Sequence, residues 1–165
     1  PQDVHGGSMR YVLARKGARK VSPAVAALLK KEEALGIGRP ETYERFRLNV
    51  EASRDGLVKL LQETKWAGKS VAGYAATSKS TTVFNYCGIG PDLVQYISDT
   101  TPIKQGKFSP GAHIPVRPYS EFKAKYPDYA LLLGWNHAAE IMANEKDFKK
   151  AGGKWIVYVP RVEVL

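Results

Sequence analysis

Cysteine is all but absent from this 165-residue chain, where Cys87 stands alone. One thiol makes no intrachain disulfide and no cysteine cluster for a structural metal. In the apolar context around it, such a thiol is expected to be inert. Long apolar runs are missing too, and none approaches the roughly 20 residues of a membrane span. The opening PQDVHGG has no basic-then-apolar signal pattern, so a cytoplasmic setting is expected. Catalytic signatures are equally scarce, with no HExxH, no CxxC, no G-x-S-x-G and no obvious carboxylate pair. Acidic charge is in deficit, 16 residues against 25 basic ones, for a net +9. A basic surface attracts phosphate. Yet the lysines are scattered (Lys30 and Lys31, Lys104 and Lys107, Lys149, Lys150 and Lys154), and no motif of a nucleic-acid module accompanies them. A small phosphorylated ligand or an acidic partner domain accounts for the charge as well, and nucleic acid ranks last.

What is present is a globular composition, 44% hydrophobic and 25% charged. That suits one domain with an appended segment. Residues 1–16 carry a strand-like run, Met9–Ala14, after a Gly6-Gly7 turn. It reads as an orphan, cut off from later strands by two helices. His5 is a weak candidate for a catalytic base, since an unperturbed histidine titrates near neutrality, and a turn histidine with no chemistry is the favoured reading. Ser22-Pro23 starts a helix that Gly36 closes. A second helix follows Arg39-Pro40 and runs to about Trp66, with Tyr43, Phe46, Val50, Leu57, Leu60 and Leu61 as a core-packing stripe. Residues 17–67 are thus expected to be a helical connector.

From Gly68 the rhythm changes. Strand-length apolar runs at Ser70–Tyr74, Leu93–Ser98, His113–Val116, Tyr129–Leu133 and Trp155–Val159 alternate with helical stretches at Ser80–Cys87, Tyr119–Lys125 and His137–Lys150. Such alternation means βαβ units. The expected fold is α/β, a Rossmann-like doubly wound domain over 68–165 with a mostly parallel sheet of about five strands. Ligands in such sheets bind at the carboxyl ends of the strands, where strand order reverses.

That rule selects Tyr74–Thr82 first. A strand, a tight turn and a helix start present free amides and partial positive charge to an anion. Ser78, Ser80, Thr81 and Thr82 add hydroxyls, and Lys79 adds a full charge. The stretch is either a phosphate cradle or a βα turn capped by Thr77 or Ser78, for it matches neither GxGxxG nor GxxxxGK[ST]. Asp99 ends the second strand 26 residues past Gly73. There it either holds a ribose hydroxyl or caps a turn with Thr100 and Thr101. A polar loop with Lys104, Gln105, Gly106, Lys107, Pro110 and Gly111 follows. After the fourth strand, Trp135 offers a face for stacking and Asn136 an amide for base or sugar. His137 reads as a first-turn residue of the next helix. The constellation suits binding more than reaction.

Four segments in order, GYAATSKSTTVFNYCGI, ISDTTPIKQGKFSPGAHIPV, PDYALLLGWN and GGKWIVYVPRVEVL, resemble the C-terminal domain of the S-adenosylmethionine-dependent sugar C-methyltransferases. Those enzymes methylate a carbon of a nucleotide-linked keto-deoxysugar. The resemblance runs from about His5 to Leu165. It implies that HGGSMRYVLAR is the last strand of a methyltransferase domain otherwise absent here. It also implies that the Gly73–Thr82 turn (with Tyr74, Ala76, Thr77, Ser78, Lys79, Thr81 and Thr82), the Asn85-Tyr86 pair and the Asp99–Gly111 loop bind the nucleotide sugar, with Trp135 and Asn136 nearby. Where the family usually has a second glycine this chain has Ala75, whose methyl group would limit how closely a phosphate approaches. The family's cysteine-rich zinc-binding segment, its cofactor-binding motif and its Tyr-Asp-Glu-His active-site segment do not occur in this sequence. The resemblance therefore implies a nucleotide-sugar-binding portion that is inactive alone. S-adenosylmethionine and zinc would be held in the methyltransferase part, supplied in cis or in trans.

Two alternatives stand beside this. One is a stand-alone nucleotide-sugar or dinucleotide-binding Rossmann-like domain. The other is a self-sufficient enzyme using His5 with Tyr74 or Lys79.

Overall fold

The computed structural model describes residues 1–2, 4 and 7–165. His5 lies outside the described residues. Contacts divide the chain into two units, 1–51 and 52–165, with the boundary inside one long helix.

In the first unit, helix α1 (Pro23–Leu35) begins at Ser22, whose hydroxyl accepts from the Ala24 amide, and ends at Gly36 in the left-handed conformation. Helix α2 (Pro40–Trp66) starts here and continues into the second unit. Gly36 is the only buried residue among those described in 1–51. The expected apolar stripe of α2 is accordingly buried only in its later part. Tyr43 and Phe46 are exposed, whereas Leu57 and Leu61 are fully covered. The strand expected at Met9–Ala14 is not formed. A strand needs a hydrogen-bonded neighbour, and among the described residues none pairs with it. Tyr11, Val12 and Leu13 stand 77%, 79% and 91% exposed.

The second unit is the α/β domain. Its strands are β1 (Val71–Tyr74), β2 (Ile97–Asp99), β3 (Val116–Pro118), β4 (Tyr129–Leu132), β5 (Lys154–Val157) and β6 (Glu163–Val164). They form one sheet in the order β3-β2-β1-β4-β5-β6. All neighbours are parallel except β6, which closes the edge antiparallel to β5. Strand order reverses between β1 and β4, as in doubly wound sheets. The sixth strand is a short addition to the five expected. The helices are α3 (Ser78–Cys87), α4 (Tyr119–Ala124), α5 (Ala138–Asn144) and α6 (Lys146–Lys150).

Alternation along the strands sorts side chains to two faces. Val71, Ile97, Leu131 and Ile156 pack with Leu57 and Leu61 of α2 and Phe84 of α3. Ala130, Leu132, Trp155 and Val157 pack with Phe122 of α4 and Phe148 of α6. Gly73 is glycine because a β-carbon there would meet Leu133 Cδ1 at 2.9 Å. The helix expected over His137–Lys150 is broken instead into a 3-10 turn (Trp135–His137), α5 and α6. The break falls at Glu145, whose buried carboxylate oxygen accepts hydrogen bonds from the hydroxyls of Tyr74 and Tyr119, each at 2.7 Å. Among the described residues no helix is long and apolar enough to cross a membrane.

Candidate functional site

The turn after β1 is shaped by Ala75, a non-glycine residue at φ 72°. It delivers Thr77 to the N-cap of α3. The Thr77 hydroxyl oxygen accepts from the Ser80 amide, and the Thr77 amide donates to the Ser80 hydroxyl oxygen, a reciprocal capping box. Two further first-turn amides, those of Ser78 and Lys79, have no partner among the described residues. The turn is therefore a capped helix start with two amide donors left over.

Asp99, at the end of β2, is buried and engaged on both oxygens. Oδ2 accepts from the Ala76 amide at 2.7 Å and Lys104 Nζ at 3.3 Å, and Oδ1 accepts from the Thr101 amide at 2.7 Å. Burial pushes its carboxyl upward in pKa. The hydrogen bonds from Thr101 and Ala76, with the Lys104 charge, outweigh that and hold it below the usual carboxylate range. Of the two roles open to Asp99, the turn-capping one is occupied. Lys104 also donates to the Ala76 carbonyl at 2.8 Å, and Gln105 Nε2 donates to the Asp99 carbonyl at 3.0 Å. Asp99, Lys104 and Gln105 thus tie the β1 turn to the loop after β2.

Between that turn and that loop lies a cavity of about 350 Å³. Ala76, Thr77, Ser78, Ser80 and Thr81 line one side. Ile103, Lys104, Lys107, Phe108, Ser109 and Pro110 line another, and Ile97 and Val116 lie below. The loop is held in place by hydrogen bonds from the Gly106 amide to the Val116 carbonyl, from the Val116 amide to the Lys107 carbonyl, and from the Ser109 amide to the Ile114 carbonyl. Asn85 braces it from α3, its amide nitrogen donating to the Thr81 and Pro110 carbonyls. Its carboxamide fills the space beside Gly111, where a β-carbon would sit 2.0 Å from Oδ1.

The other expected residues lie elsewhere. Lys79 Nζ is 4.9 Å from the Trp135 ring centroid and donates to Asn136 Oδ1 at 2.9 Å, forming a separate cluster between α3 and the loop after β4. This is the side on which strand order reverses. Ala75 points its methyl group this way as well, 3.6 Å from where a β-carbon on Gly134 would stand. Tyr74 reaches the opposite sheet face, ring to ring with Phe122 and Trp155. Burial, then the Glu145 hydrogen bond, holds its phenol well above the usual range. Thr82 is exposed on α3 and is not among the cavity residues. Among the described residues no group of three or more His, Cys, Asp or Glu is placed to hold a metal.

Phe108, Ile103 and Ser109 belong to the cavity without having been singled out from sequence. Their signal was faint, two apolar side chains in an otherwise polar loop.

The family profile described as the C-methyltransferase C-terminal domain matches residues 3–160. The chain is 41% identical over 164 residues to C-methyltransferase NovU from Streptomyces niveus, across 99% of its own length and 39% of that relative. The chain therefore spans about two fifths of the curated relative it matches.

Proposed function

The chain belongs to the C-methyltransferase C-terminal domain family, and on that basis we propose that it is the nucleotide-sugar-binding portion of an enzyme that methylates a carbon of a keto-deoxysugar. The observation that carries this reading is the cavity at the carboxyl ends of β1 and β2, which Ser78, with its unpaired amide, and Lys107 both line. Free N–H groups at a helix start and a neighbouring ammonium suit a diphosphate. Lys107 has no carboxylate partner among the described residues, so its charge remains available.

The chain's own residues bind and orient. Methylation next to a ketone also needs a base within reach of the α-proton. It needs a methyl donor as well, a role S-adenosylmethionine fills by presenting an electrophilic methyl on sulfur. Both are assigned to a methyltransferase domain acting in cis or in trans, and this chain alone is expected to be inactive. The unit 1–51 supports such a partner. It leaves Tyr11, Leu13, Leu29, Tyr43 and Phe46 open to solvent, apolar side chains that a partner domain would cover.

Calorimetric titration with dTDP, UDP and GDP, and separately with S-adenosylmethionine, tests the reading. Binding of a nucleoside diphosphate with no heat from S-adenosylmethionine supports it. Binding of S-adenosylmethionine in place of the nucleotides would sink it.

A further inference from the structure

The cavity has two chemistries. Its α3 side is polar, with the hydroxyls of Thr77, Ser78, Ser80 and Thr81 and the open Ser78 amide. Its far side carries apolar groups beside Lys104 and Lys107, and two of these, Ile103 and Phe108, are 73% and 64% exposed. An aromatic ring and a branched aliphatic chain on one rim, both bare, are costly in water unless something covers them. They are also held ready. Phe108 pairs through an isolated antiparallel bridge with Pro115, and the residues on both sides of it are bonded to the segment leading into β3. The ring sits on a fixed backbone, so little order has to be gained on binding.

We propose that Phe108 is the stacking platform for the nucleobase, with Ile103 beside it on the rim, and so sets the register of the ligand in the cavity. The inference rests on the nucleotide-sugar reading and assigns each end of the ligand to a wall. The base lies on the Phe108 ring because every base has an apolar π-face that a phenyl ring matches. The diphosphate then falls toward the Ser78 amide on the α3 wall. About 350 Å³ is at the small end of ligand pockets, room for a nucleoside but not for a whole nucleotide sugar. The sugar therefore leaves the cavity, as it must if another domain is to act on it.

Titration of the wild type, Phe108→Ala and Phe108→Tyr with dTDP, UDP, GDP and inorganic pyrophosphate separates the parts. Phe108→Ala is expected to weaken the best nucleotide roughly tenfold or more, the scale of one lost base stack. Phe108→Tyr should retain affinity, and pyrophosphate should bind all three proteins alike. Because Phe108 is largely exposed, the thermal midpoint should not move, and an unchanged melt certifies the comparison. Equal nucleotide affinity in Phe108→Ala and wild type overturns the platform while leaving the nucleotide reading intact. A wild type that binds no nucleotide overturns both.

Discussion

The carboxamide of Asn85 stands where a β-carbon on Gly111 would have to go, 2.0 Å from Oδ1, while its nitrogen holds the Pro110 carbonyl at 2.9 Å. The loop after β2 is thereby keyed onto α3 at a residue whose φ of 77° already favours glycine. Gly111→Ala is expected to cost about 2 kcal/mol, part backbone strain and part overlap. Adding Asn85→Ala should recover the overlap share, so a double-mutant cycle by urea unfolding will show coupling between the two positions. Strict additivity would refute the keyed contact.

Ala75 holds φ 72° without being glycine. Ala75→Gly removes a strain of about 1 kcal/mol and adds a comparable loss of unfolded-state order. The expected result is a shift of under about 1 kcal/mol. Ala75→Val, branched at the same angle, should lose about 2 kcal/mol or more. A shared midpoint for the two variants would mean that the angle exerts no strain.

Asp99 is held below the usual carboxylate range, so its contribution has a definite pH sign. The folded pKa lies below the unfolded value of about 3.9. The stability it provides is therefore complete above that value and lost as pH falls through the folded pKa. Asp99→Asn should cost about 1–3 kcal/mol at neutral pH, the range for buried bonds to a charged group. The gap between variant and wild type should narrow below about pH 4. Denaturation curves at both pH values check this, and a gap that widens in acid would contradict the assignment.

Glu145 takes two phenol hydrogen bonds on the sheet face away from the cavity. Glu145→Ala leaves two sheltered hydroxyls without an acceptor and should lower stability by about 2–3 kcal/mol. At a temperature where the variant stays folded, nucleotide affinity is expected to match the wild type. A selective loss of affinity would place this cluster in the binding machinery.

Lys107 and Lys79 should respond differently. Lys107→Ala is expected to weaken nucleoside diphosphates several-fold and to reduce the salt dependence of binding. Lys79→Ala should matter less for the same ligand, because Lys79 Nζ is committed to Asn136 and the Trp135 face. Titrations at two salt concentrations decide the order, and the reverse ranking would move the anion site to the β1–β4 side.

The α/β pattern was readable because buried parallel strands show as short apolar runs, and because caps such as Ser22, Gly36 and Thr77 announce helix ends locally. Strand limits drifted by a few residues, Leu93 being a buried turn residue and not part of β2. Burial alone does not distinguish those cases. The split at Glu145 had no local signal, since it is set by Tyr74 and Tyr119 far away in sequence. The division of Lys79 from Lys104 was hidden for the same reason. Both lysines follow strands, and only the partners Asn136 and Asp99 decide which side each serves.

The stretch Met9–Ala14, MRYVLA, is rich in strand-forming residues, carries one arginine and no acidic group, and has its backbone edges unpaired among the described residues. An uncovered segment of that kind is a template for strand addition by a second molecule. Solubility of the isolated chain should therefore fall with concentration well before its fold gives way. A single charge at Val12, which leaves every contact of the α/β domain in place, is the change that would keep it monodisperse.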